Sequence, residues 1–172
     1  HLEQAGKVRH FGVSNQNPMM MELLKTAVKQ PLKVNQLQLS AAFTPSFEAG
    51  FHVNMEGPKA AVRDGSVFEY CRLTDTVIQA WSVLQHGYFK GNFVGKEEFA
   101  ALNHVLNDLA KKYQVTPTAI ALAWVLRYPS KMQAVIGTTK PQHVLEAGKA
   151  AEVTLTRKEW YQIYLAAGND LP

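Results

Sequence analysis

Gly6-Lys7-Val8-Arg9-His10-Phe11-Gly12-Val13-Ser14-Asn15 is the stretch that decides the fold. Gly6 reads as the stop of a helix that His1 to Ala5 finish, because glycine closes a helix in the left-handed conformation at no Cβ cost. Val8, Phe11 and Val13 are strand formers around Gly12, so Val8 to Val13 is expected to be a short buried strand. Ser14 and Asn15 then offer a hydroxyl and an amide at the strand's C-terminal end. Barrels and open α/β sheets keep their ligands at that end. The chain opens inside a helix, and we expect it to be the later part of something larger.

Working outward, Pro18 opens a helix to about Lys29, with an apolar stripe of Met19, Leu23, Leu24, Ala27 and Val28. Leu32 to Leu39 reads as a second strand. From Phe43 to Gly65 no period holds, and Pro45, Gly50, Gly57, Pro58 and Gly65 predict a long loop. Phe68 to Leu73 reads as a short helix, Thr76 to Trp81 as a third strand, and Ser82 to Gly95 as a loop. Glu97 to Tyr113 is strongly amphipathic through Phe99, Leu102, Val105, Leu106 and Leu109. Thr116-Pro117 caps a helix from Thr118 to Arg127, and Gln133 to Ile136 is a fourth strand. Thr138-Thr139 and Pro141 start a helix to about Ala150. Thr156-x-x-Glu159 is a capping box for a last helix to about Ala167.

Strand and helix alternate four times, which predicts an α/β fold with parallel strands and helical crossovers in one domain over residues 1–172. Four strands make either an open sheet or half of an eight-stranded barrel. For the half barrel, Val13, Val34, Leu37, Ile78 and Ala80 are expected to line an apolar inner face.

Composition narrows the function. The chain has 172 residues, a net charge of +4 and a pI of about 9.2. Lys and Arg are scattered, so no nucleic-acid partner is expected. Cys71 is the single cysteine, which excludes an intrachain disulfide and fits a reducing compartment. It sits among Phe68, Tyr70 and Leu73 and reads as a buried structural thiol. The six histidines show no paired metal-ligand spacing, so no metal site is expected. The longest apolar run, Ala119 to Leu126, has eight residues, far short of the about 20 that span a bilayer. With no signal-peptide pattern at the N-terminus, we expect a cytoplasmic protein without a membrane partner.

Four segments in order bring a family into view: Gly6 to Asn15, Asn35-Gln36, Ala80-Trp81-Ser82-x-Leu84, and Val135-Ile136-Gly137-Thr138-Thr139. With the helix Ala121 to Arg127 and the tail Asn169 to Pro172, they make the chain resemble the C-terminal half of an aldo-keto reductase, over essentially its whole length. The similarity is strongest to the bacterial NADP-dependent oxidoreductase branch. It implies a (β/α)8 TIM barrel, of which this chain would supply strands five to eight and a C-terminal helix, with the N-terminal half absent. The implied activity is reduction of a small aldehyde or ketone to an alcohol with NADP(H), with NAD(H) as the alternative.

The resemblance also implies roles. Ser14, Asn15 and Gln36 would hydrogen-bond the nicotinamide carboxamide. Trp81 would stack on the nicotinamide ring. Ser82, Leu84 and Gly87 would follow the pyrophosphate. Gly137, Thr138, Thr139, His143 and Glu146 would hold the adenosine end. Many family members carry Lys or Arg where this chain has Gly137 and His143, with Lys140 nearby. The family's catalytic Asp, Tyr, Lys and His belong to strands two to four and have no counterpart here, so the chain alone is expected to be inactive. A second copy or the missing half is then expected to cover the open barrel. The long Phe43 to Gly65 stretch and the loop Gln85 to Gly95 are expected to wall the substrate pocket. The rival readings are a non-catalytic dinucleotide-binding or regulatory module, and a self-contained open sheet with flavodoxin-like order.

Overall fold

A computed structural model describes residues 1–51, 66–87 and 90–171. Four strands, β1 (Phe11–Ser14), β2 (Leu32–Gln38), β3 (Val77–Trp81) and β4 (Met132–Ala134), form one parallel sheet in the order β1-β2-β3-β4. Each crossover carries helix: α1 (Pro18–Ala27), then α2 (Pro45–Phe51) and α3 (Val67–Leu73), then α4 (Ala100–Tyr113) and α5 (Pro117–Leu126). After β4 come α6 (Pro141–Gly148) and α7 (Arg157–Ala166). No described helix is long and apolar enough to cross a membrane.

Three helices start where the sequence places a proline or a cap. The Asn17 side chain accepts from the Met20 N–H at 2.9 Å, with Pro18 at the first helical position. Thr116 caps α5 in the same way, and Thr156 with Glu159 closes a complete capping box on α7. At the N-terminus the expected helix end is a single turn. Lys7 N–H reaches Leu2 O and Gly6 N–H reaches Glu3 O, with Gly6 at φ +66°, the hydrogen-bond pattern of a Schellman stop.

Several boundaries differ from the sequence reading. β1 begins at Phe11, three residues late, because its partner β2 begins at Leu32, opposite Phe11, and the register shifts between Phe11 and Gly12. β4 ends at Ala134, although the Val135 N–H still donates to Ala80 O. α6 begins at Pro141 with Lys140 as its cap, so Thr138 and Thr139 precede the helix. The first part of the expected Phe43 to Gly65 loop is α2, and residues 52–65 lie outside the described residues.

The register sorts the sheet into two faces. Val13, Asn35, Ile78 and Met132 form one row, with Leu37, Ala80 and Ala134 one pleat further along the same face. Helices cover this face: Asn35, Ile78 and Ala80 are inaccessible to solvent, and Ile78 and Ala80 join a core with Leu106, Ile120 and Trp124. The opposite face carries Ser14, Gln36, Gln79 and Gln133 in one row. Gln36 donates to Gln79 at 3.1 Å and Gln79 donates to Gln133 at 3.0 Å. The expected apolar inner face is therefore corrected. Leu37, Ile78 and Ala80 point into the helix-covered core with Val13 on the same face, whereas Val34 lies on the opposite face, which bears a chain of amides. A similar reversal holds for α1, where Met21 is the buried residue and Met19 and Leu23 face outward.

Aromatic rings knit the far side of the helical layer. Trp124 of α5 and Trp160 of α7 stack at 4.8 Å and 9°. Each indole donates to the other residue's carbonyl at 3.0 Å. Phe47 of α2 packs against this pair and against Phe68 and Tyr128. Cys71 is buried beside them, and burial pushes its thiol up to about 11, so it behaves as an inert core residue.

Candidate functional site

Because the four strands are parallel, their C-terminal ends share one edge of the sheet, and the turns leaving them converge there. At β1 the turn is held onto β2. Asn15 N–H donates to Gln36 O at 2.9 Å and Ser14 Oγ donates to the same carbonyl at 3.2 Å. Asn15 stands at φ +54°, and the buried Asn35 side chain donates to Gln16 O at 2.8 Å from below. Ser82, directly after β3, also takes a left-handed conformation at φ +53°. Left-handed conformations of non-glycine residues cost energy and cluster at functional sites.

A cavity of about 680 Å³ opens where β3 and β4 end. Trp81 and Ser82 form one wall, Thr118 and Leu122 of α5 form the floor, and Gly137, Thr138, His143 and Glu146 form the far wall. Trp81 is half-buried at the last position of β3. Thr138 Oγ1 lies 3.3 Å from His143 Nδ1 and accepts from the Lys140 N–H at 3.2 Å. The first turn of α6 therefore opens at this wall with no side-chain cap on its N–H groups.

The rim of the cavity is the loop after β3. Gln85 and Asn92 pair across it, Phe93 N–H donates to Leu84 O at 3.0 Å, and Ser40 Oγ donates to Gln85 O. Asn103 of α4 is the anchor. Its buried amide nitrogen donates to the carbonyls of Phe93, Lys96 and Phe99, and its oxygen accepts from Gly95 N–H at 2.7 Å. Two buried amide atoms at this end, Gln38 Nε2 and Gln85 Oε1, have no hydrogen-bond partner among the described residues. Gln85 lines the cavity.

Of the residues singled out in the sequence, the cavity gathers Trp81, Ser82, Leu84, Gly137, Thr138, His143 and Glu146. Ser14, Asn15 and Gln36 form a separate hydrogen-bonded group on the same edge, and Gly87 and Thr139 line neither. Sequence reasoning misses Gln79, Gln133 and Asn103, whereas Gln85 and Asn92 belong to the loop expected to wall the pocket. The first two were legible only through the register, which brings residues 54 apart into contact. Among the described residues no group of three potential ligands could hold a metal ion.

Comparison with known proteins follows from this geometry. Residues 1–166 match the sequence model of the aldo/keto reductase family. The chain is 33% identical over 172 residues to the 6-dehydroglucose reductase of Agrobacterium fabrum, covering 99% of this chain and 50% of that protein. It is 32% identical to the oxidoreductase YdhF of Escherichia coli K12, covering 100% of this chain and 52% of that one. Among solved structures, the thermostable aldo-keto reductase Tm1743 superposes with a TM-score of 0.68 at 21% identity, over 96% of this chain and 51% of its own. The chain thus spans about half the length of the curated relatives it matches.

Proposed function

The chain belongs to the aldo/keto reductase family, whose fold is of the TIM-barrel type, and from that premise we propose that it holds the nicotinamide dinucleotide of a carbonyl reductase. The cofactor is NADP(H), with NAD(H) as the alternative, and the substrate is a small aldehyde or ketone. The observation that carries this reading is the cavity between Trp81 and the Thr138–His143 wall at the C-terminal ends of the strands.

The residues present fit such a group. An indole at the end of β3 suits a flat ring, and stacking on one face leaves the other face open. Uncapped N–H groups at the start of α6, with Lys140 and His143 beside them, suit a phosphate. The unpartnered Gln85 Oε1 suits a ribose hydroxyl. Ser14, Asn15 and Gln36 suit a carboxamide. When bound, the nicotinamide supplies the hydride; the chain's own residues orient the ring, exclude water from one face and fix which face is presented.

We further assign the four strands to the second half of the barrel. Sequential parallel order, described helices packed on one face and a hydrogen-bonded polar face opposite support this. The outermost helices add apolar residues facing outward, Met19, Met20 and Leu23 on α1 and Val144 and Leu145 on α6. Elements that complete the barrel would cover them. None of the chain's tyrosines lies in a segment that matches the family's catalytic motif, and we assign the general acid for the carbonyl oxygen to those elements.

Fluorescence titration tests the cofactor reading. NADPH is expected to quench Trp81, and Trp81→Ala is expected to weaken binding and remove most of the quench. A full quench in Trp81→Ala overturns the stacking assignment.

A further inference from the structure

We propose that a second site, at the opposite end of the strands, binds a small phosphate ester. Arg72 at the end of α3, Arg127 at the C-cap of α5 and Arg157 at the first position of α7 line one cavity of about 350 Å³. These positions precede β3 and β4 or open α7, so the cavity sits at the N-terminal ends of the strands, away from Trp81.

Three guanidiniums face this cavity with Glu69 as its single carboxylate. Among the described residues none of the three has an ion-pair partner. Arg127 spends its Nε on Leu155 O at 3.0 Å, which leaves its two terminal amino groups to the cavity. Arg157 stands at a helix N-terminus, where a cation opposes the helix dipole. It lies 5.7 Å over the Tyr161 ring, so a local contact holds it at an electrostatically unfavourable place. Three cations gathered on one cavity beside a single described carboxylate point to an anionic partner outside the protein.

The chemistry of the walls names that partner. Guanidinium forks match phosphate oxygens in pairs, which lysine does not. Tyr161 lines the same cavity edge-on to Trp160, whose ring is already stacked between Trp124 and Tyr164. An adjoining hollow shares Arg72 and Pro129 and adds Ser130, whose buried Oγ has no hydrogen-bond partner among the described residues. At about 350 Å³ the cavity is at the small end for ligand sites. It suits a mononucleotide-sized molecule and is too small for a dinucleotide.

Calorimetry on the chain at low salt, with adenosine monophosphate and with inorganic phosphate as probes, tests the proposal. Saturable binding of the monophosphate is expected, with phosphate about tenfold weaker. Arg72→Gln with Arg157→Gln removes two exposed charges that make no side-chain hydrogen bond among the described residues, and is expected to weaken the monophosphate at least tenfold while NADPH binding stays unchanged. Lys111→Gln with Lys158→Gln removes the same charge elsewhere and is expected to change neither. No saturable binding, binding that survives the arginine pair, or an equal loss in the lysine pair overturns the second site.

Discussion

Glu159 shows how much one residue can carry. It is 6% exposed, and burial alone would raise its carboxyl. Hydrogen bonds from Lys112, from the Thr156 N–H and hydroxyl and from Tyr113 outweigh burial and bring it down to about 2. A carboxylate lowered in the folded state stabilises fully above its unfolded pKa and loses that contribution as pH falls through the folded value. Glu159 should therefore contribute about 1–2 kcal/mol at neutral pH, lost between about pH 4.5 and pH 2. Urea unfolding at pH 7 and pH 3 checks this, since Glu159→Gln should lose stability at the first and much less at the second. Gly12 is the complementary case, a residue defined by what it lacks. A Cβ there would lie 2.7 Å from Val34 Cβ and 2.8 Å from Val34 O. Gly12→Ala should push β1 off β2 and cost about 1–3 kcal/mol, read as a lower urea midpoint with an unchanged slope.

At the scale of elements, the loop after β3 depends on one helix. Asn103→Ala removes three donations and one acceptance at once. Buried carbonyls left unpaired should cost about 2–3 kcal/mol, and amide exchange at Gly95 should speed up more than exchange in β3. An equal change in both would show that the loop is held by something else. Trp160→Phe should loosen α5 from α7, because it removes one indole donor and leaves Trp124 O unpaired. The elements themselves are largely legible in the sequence, because caps and periods are local. Asn17-Pro18, Thr116-Pro117 and Thr156-x-x-Glu159 each open a helix where the sequence places one. Direction is less legible. The stripe on α1 says that one side is apolar, and nothing in it says whether that side meets the sheet. The wall residues Trp81, Thr138 and His143 are legible through motif order, whereas Gln79, Gln133 and Asn103 act through contacts that only the folded register and loop path create.

For the whole molecule, the sheet ends in two strands, β1 and β4, and the helices next to them carry Met19, Leu23, Val144 and Leu145 on the outside. Unpaired strand edges and exposed apolar helices favour association. The chain alone should therefore self-associate in light scattering. Leu23→Glu with Leu145→Glu should shift it toward 19.2 kDa without changing the melt. A monomer before the substitutions would count against the half-barrel assignment. The isolated chain should also reduce no aldehyde with NADPH, since none of its tyrosines lies in a segment that matches the family's catalytic motif.

The row Ser14–Gln36–Gln79–Gln133 adds a rule for whatever lies beside the sheet. Its amides all run one way, each nitrogen handing on toward β4. A neighbour beyond β4 meets a donor, Gln133 Nε2, and must answer with an oxygen. A strand slipped by one residue would present the wrong pleat and find nothing to answer. The row thus has a handed end, and a neighbour in the correct register would satisfy it where a misaligned one would not.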